Sequence, residues 1–192
     1  MALNPAYQQE INKKASKPLM WVGIVSIIML FAGFTSGYVV SHSNGEWLYF
    51  EIPSAFYIST ILIILSSISL IFAFFSAKKN LLGNVKIGLG ATLLLGLAFI
   101  YYQFQGYGAL VNANVYFTGP TANSAGSYFY IITGLHLMHL VGGIIAAIVT
   151  FINSIREKYT AQNNLGLQVF SIYWHFLGVL WVYLLIFLIL VR

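Results

Sequence analysis

The chain has no cysteine, which removes disulfide frameworks, thiolate zinc sites, iron–sulfur clusters and haem attached through Cys-x-x-Cys-His. Any metal would have to rest on its four histidines. Charge is nearly as scarce: Asp, Glu, Lys and Arg make up 7% of the 192 residues, against about a quarter in an ordinary soluble domain. With 59% hydrophobic residues, the chain is read as an integral membrane protein. The four prolines, Pro5, Pro18, Pro53 and Pro120, are expected at helix starts or in loops, which argues against the discontinuous helices of many secondary transporters.

Five apolar runs reach the ~20 residues that a helix needs to cross the hydrocarbon core: about Leu19–Val40, Ser54–Ser76, Val85–Gln105, Ser127–Ile152 and Phe170–Val191. Apart from Lys86 at the edge of the third, they hold no Asp, Glu, Lys or Arg. The expectation is an all-α bundle of five transmembrane helices, one membrane domain over residues 1–192. Lys13, Lys14 and Lys17 precede a first run that is too long, and lacks the cleavage pattern, for a signal peptide, so it is read as a retained helix. The N-terminal tail, the loop 77–86 with Lys78, Lys79 and Lys86, and the loop 153–169 with Arg156 and Lys158 hold eight Lys and Arg, and the other side holds only Arg192. That asymmetry predicts a cytoplasmic N-terminus and a periplasmic C-terminus. The net charge of +5 then reports topology and contact with anionic lipid, and gives no support to nucleic-acid binding.

Two outer loops are expected. Residues 41–53 carry Glu46 and Glu51 with Trp47 and Tyr49, and His42 at the end of the first helix reads as interfacial. Residues 106–126 are uncharged and rich in Gly, Asn and aromatics, including Tyr107, Tyr116 and Phe117. They read as an irregular loop packed on a neighbour, and the aromatics fit an interfacial belt equally well.

At 100° per residue, Thr133, His136, His139, Gly143, Ala147 and Thr150 share one face of the fourth helix within an arc of about 120°. Ser171, His175, Gly178 and Val182 line up on the fifth, and Gly23, Ser26, Gly33 and Gly37 on the first, where Gly33-x-x-x-Gly37 has the spacing of close helix approach. Small, polar faces of this kind first imply helix packing. Two histidines on different helices also raise the question of a haem held axially. At 1.5 Å per residue, His175 lies about 8 Å from the cytoplasmic boundary, His139 about 20 Å and His136 about 24 Å. Those depths do not suit one haem. His136-x-x-His139 has no third ligand in the membrane, and Glu10, Glu46, Glu51 and Glu157 all lie outside the core, so a carboxylate proton relay through this chain is not expected.

The run Thr133-Gly-Leu-His136-Leu-Met-His139-Leu-Val-Gly-Gly143, then a basic loop, then Gly166, Tyr173-Trp-His175-Phe and Trp181, resembles the C-terminal signature of subunit III of haem–copper terminal oxidases (cytochrome c oxidases). Phe31-Ala-Gly-Phe34 is similar to a helix of the same family, in its five-helix bacterial form that lacks the first two of seven helices. The resemblance implies an accessory subunit in a bacterial inner (plasma) membrane, with no catalytic residue, metal or redox centre of its own. Haem and copper would sit in partners, oxidase subunits I and II, within a complex that can join a larger respiratory supercomplex. Phospholipid would bind in a cleft between the helices, and the subunit would support proton uptake by the catalytic subunit. On this basis His136, His139, Trp174, His175 and Trp181 carry over as a packing and lipid-facing signature, and Gly33, Gly37, Thr133, Gly143 and Gly178 as helix-packing positions. Ile27, Gln168 and Gly178 stand where the family has acids, so roles that need those carboxylates do not transfer. The missing helices would leave one wall of the cleft to a partner or to annular lipid. Accessory subunits of nitric oxide reductases and quinol oxidases share the signature. A small transporter would instead need a polar path through the bundle.

Overall fold

A computed structural model describes residues 5–42, 47–120, 122–159 and 164–191, with residues 5–14 described in their backbone only. The described residues form five helices: α1 (Pro5–His42), α2 (Ser54–Lys78), α3 (Leu82–Asn112), α4 (Ser124–Ile155) and α5 (Leu165–Leu190). Each is long and apolar enough to cross a membrane.

Two boundaries differ most from the sequence expectation, each for a physical reason. Helix α1 starts at Pro5 and holds Pro18 in its interior, where the sequence placed that proline at a helix start. Pro18 cannot donate to the carbonyl of residue 14. The apolar run itself begins near Leu19, so the freed carbonyl lies at the membrane edge, within reach of water. Helix α3 runs past Gly106 and Gly108 to Asn112, which shortens the expected loop 106–126 to 113–123. Gly106 is there because the Phe56 ring would stand 2.7 Å from any Cβ, so a residue that looks like a helix breaker is a packing residue. At about 1.5 Å per residue, the 31 residues of α3 span roughly 46 Å, well beyond the ~30 Å hydrocarbon core.

The ends of α2, α3 and α4 share one device. Asn80, Asn114 and Glu157 adopt φ of 56°, 59° and 56°, the left-handed conformation that stops a helix. After each, the chain closes backwards: Leu81 N–H donates to Ser76 O, Val115 N–H to Leu110 O and Lys158 N–H to Asn153 O. These bonds take up carbonyls that a helix end leaves open. Helix α4 is started by Asn123, whose side-chain oxygen accepts from Ala125 N–H at 2.9 Å, as an N-cap should. The loop before it is tied down as expected: Ser127 Oγ donates to Phe117 O at 2.7 Å and Tyr130 Oη to Val115 O at 3.1 Å.

Helices α2, α3, α4 and α5 form a closed ring of neighbours, and α1 lies outside it against α4 and α5. The α2–α3 seam is the tightest because small and hydroxylated residues face each other. A Cβ at Gly88 would stand 2.8 Å from Ala73 Cβ. Ser69 Oγ donates to Gly88 O at 2.9 Å and Ser66 Oγ to Thr92 O at 3.3 Å. Close backbone approach with crossing hydrogen bonds is how helices associate where lipid offers no hydrophobic drive.

Helix α1 uses a different face from the small one. Ile24, Phe31, Thr35 and Tyr38 are buried, whereas Gly23, Ser26 and Gly33 point outward. A Cβ on Gly33 would meet no described atom within 4 Å, and one on Gly37 would touch only the Tyr128 ring, at 3.5 Å. Within this chain, larger side chains give α1 more contact with α4 and α5 than its glycines would, and dispersion decides the face.

Candidate functional site

Two tryptophans organise the seam between α5 and α2. Trp174 donates from Nε1 to Ser66 Oγ at 2.9 Å and Trp181 from Nε1 to Thr60 Oγ1 at 2.9 Å. They stand seven residues, two helical turns, apart on one face, and both are fully buried. A buried indole needs a partner for its N–H, and α2 supplies one for each. The Trp174 ring lies where glycines make room. A Cβ at Gly96 of α3 would stand 2.7 Å from it, and one at Gly143 of α4 would be 3.4 Å from it and 3.1 Å from Leu177. One side chain thus fixes the spacing of four helices.

His136 sits two turns away from Trp174, in an aromatic box. Its ring centroid is 5.1 Å from Trp181, 6.2 Å from Phe99 and 6.5 Å from Phe31. It is 0% exposed, and neither ring nitrogen has a protein partner. Thr133, one turn earlier, is buried and spends its hydroxyl on Phe129 O at 2.7 Å. His139 lies across Phe31, 5.8 Å from that ring. It is half-buried, with Nδ1 donating to Leu135 O at 2.8 Å, and its own carbonyl accepts from Tyr173 Oη at 3.0 Å.

His175 is elsewhere. With Gly178, Val182, Ile63, Ser67 and Ile71 it lines a groove of about 520 Å³ between α2 and α5 that opens on the bundle surface. A Cβ at Gly178 would lie 3.2 Å from Ser67 Oγ, so the glycine keeps this wall low. Trp181, which touches His136, is six residues beyond His175, or about 9 Å along the axis. His136 and His175 therefore stand at different levels and do not face one another, with an offset smaller than the ~16 Å read from the sequence.

Among the described residues, no three His, Cys, Asp or Glu come together. Glu51 is exposed, and Glu157 pairs with Lys86 at 2.9 Å near the surface. Glu46 and the side chains of Glu10, Lys13 and Lys14 lie outside the described residues. Lys78, its ammonium 4.6 Å from the Phe74 ring centroid, marks the same end of the bundle as Lys86, Arg156 and Lys158. At the opposite end His42 finds neighbours the sequence did not indicate: its ring is 4.9 Å from Trp47, which in turn covers Tyr38 at 4.9 Å.

Several working residues were not picked out from sequence. Ser59, Thr60 and Ser66 on α2 receive Gln103 and the two tryptophans, and Gly96 makes room for one of them. Their signal was present as hydroxyls in an otherwise aliphatic run. Gln103 was masked because it fell at the expected end of its helix.

Comparison with known proteins follows the same residues. A family model described as cytochrome c oxidase subunit III matches residues 48–191. Over 169 residues the chain is 31% identical to cytochrome c oxidase subunit 3 of Corynebacterium diphtheriae, covering 81% of this chain and 78% of that one. It is 29% identical over 167 residues to cytochrome bo(3) ubiquinol oxidase subunit 3 of Pseudomonas aeruginosa, covering 84% and 78%. With cytochrome c oxidase subunit 3 of Alkalihalophilus pseudofirmus it shares 34% identity over 131 residues, 67% of this chain and 61% of that one.

Proposed function

Since this chain belongs to the cytochrome c oxidase subunit III family, we propose that it serves a bacterial haem–copper oxidase as its accessory subunit, with haem and copper held by its partners. It is a multi-pass membrane protein of a bacterium. The observation that carries the proposal is how the signature residues are used. Trp174, Trp181 and His136 are spent on locking helices together, and they leave a rigid scaffold whose outer surface is almost wholly apolar. Oxidase subunits I and II are the partners this scaffold would stand beside. The whole chain acts as one membrane domain, N-terminus in the cytoplasm and C-terminus in the periplasm, in keeping with the basic residues gathered at one end. The electron donor is cytochrome c or a quinol, since relatives of both names match, and electrons pass through the partners either way.

Phospholipid is the ligand proposed for the groove at His175. Its walls are aliphatic, and its volume of about 520 Å³ suits an acyl chain. Lys78 and Lys79 lie seven and eight residues beyond Ile71, about 10–12 Å along α2, where an anionic headgroup would meet them. Juxtamembrane lysines attract such headgroups by about 1 kcal/mol each. The experiment is an affinity purification through this chain from native membranes, followed by visible spectra and oxygen consumption. Recovery of haem–copper subunits that reduce oxygen supports the proposal, and recovery without haem overturns it. Native mass spectrometry of the same material reads bound phospholipid, which His175→Ala should reduce.

A further inference from the structure

We propose that α3 and α4 enclose a site for ordered water in the outer half of the bundle, bridging the Gln103 amide oxygen, the Tyr107 hydroxyl and the His136 imidazole. Gln103 is 1% exposed. Its amide nitrogen donates to Ser59 Oγ at 2.9 Å, which fixes the amide and turns Oε1 away from α2. That oxygen has no protein partner. Tyr107, one turn further out on the same face of α3, has a buried hydroxyl beside the Thr133 side chain that makes no hydrogen bond of good geometry. Thr133 has already committed its own proton to Phe129 O. Below it on α4, His136 presents both ring nitrogens unpaired, against Phe99, one turn inward of Gln103.

Four buried polar atoms without protein partners thus fall on adjoining turns of two touching helices. Interior polar atoms are paired in the great majority of cases, with protein or with ordered water. Residues four apart on a helix have Cβ atoms about 5–6 Å from each other, a gap that one water can bridge between Gln103 and Tyr107. The donor and acceptor balance selects the ligand. The amide oxygen only accepts, the hydroxyl does both, and a neutral imidazole offers one donor and one acceptor. A molecule that both donates and accepts, with two to four partners, satisfies all of them. Among the described residues no three His, Cys, Asp or Glu gather here to hold a cation. Tyr107 lies within the last six residues of α3, so the site fills from the outer surface. His136 is thereby given a partner at a depth where its helices offer none. Which complex holds the chain does not matter to this site.

The test is a map of the protein in its native complex, at a resolution where buried waters in the other subunits are seen. Density within hydrogen-bonding distance of both Gln103 Oε1 and Tyr107 Oη, with further density against a His136 nitrogen, is expected. An empty gap, or direct pairing of Gln103 with His136 through altered rotamers, overturns the proposal. A second measurement uses Gln103→Met and Tyr107→Phe singly and together, read as thermal midpoints. Bridging water makes the combined drop clearly smaller than the sum of the single drops, and additive drops contradict it.

Discussion

Trp174→Phe isolates the contact that ties α5 to α2 across the bundle. The wild-type indole donates to Ser66 Oγ at 2.9 Å and occupies the space opened by Gly96 and Gly143. Phenylalanine keeps a ring but loses the donor and roughly 40 Å³, and at about 24 cal/mol per Å³ of cavity the lost volume costs about 1 kcal/mol. An interhelical hydrogen bond in a membrane protein adds about 0.6–1.7 kcal/mol. Ser66 is not stranded, because its hydroxyl also reaches Thr92 O at 3.3 Å, so no orphan penalty is added on that side. The expected loss is about 2 kcal/mol. Ser66→Ala behaves differently: it leaves the buried indole N–H unpaired, at about 1–3 kcal/mol. The double variant should then cost about 1 kcal/mol less than the sum of the single changes, as coupled partners do. Unfolding in mixed micelles by a denaturing detergent, followed by helical circular dichroism, reads all four proteins. An unchanged midpoint for Trp174→Phe, or fully additive losses, would refute the assignment of Trp174 as the strut between these helices.

Glycines give a paired prediction. Gly96→Ala places a methyl 2.7 Å from the Trp174 ring and should destabilise by about 1–3 kcal/mol. Gly33→Ala enters open space and should leave the isolated chain unchanged, so a loss seen only in the assembled complex would locate a partner against α1. Glu157→Gln removes a surface pair with Lys86 and should shift stability by less than about 1 kcal/mol, with the difference vanishing in high salt. His175→Ala should release phospholipid, and with it some of the attachment to the complex, while haem per catalytic subunit stays constant by pyridine haemochrome assay. Loss of haem with the subunit still attached would contradict the role given to His175.

The five spans were legible because apolar length alone identifies them. The small, polar face of α4 was legible too, since Thr133, His136 and Gly143 interrupt an aliphatic helix with the period of its packed side. The face of α1 was not. In lipid both sides of a helix are apolar, so a stripe of glycines shows where close approach is possible without showing which neighbour uses it. The outer turns of α3 were hidden by composition: Gly106 and Gly108 read as a loop until Phe56 is seen filling the place of a side chain at Gly106. The helix ends at Asn80 and Glu157 carried no glycine to mark them, and only their left-handed backbone reveals them. The groove at His175 depends on how α2 sits beside α5, which no run within either helix encodes.

The most direct test dissociates this chain from its purified complex under mild detergent and measures haem and copper in both fractions. All of the haem and copper should remain with the other subunits, which should still begin to reduce oxygen, and the released chain should show no Soret absorbance. Haem leaving with this chain in a fixed ratio would contradict its place as a subunit without a redox centre.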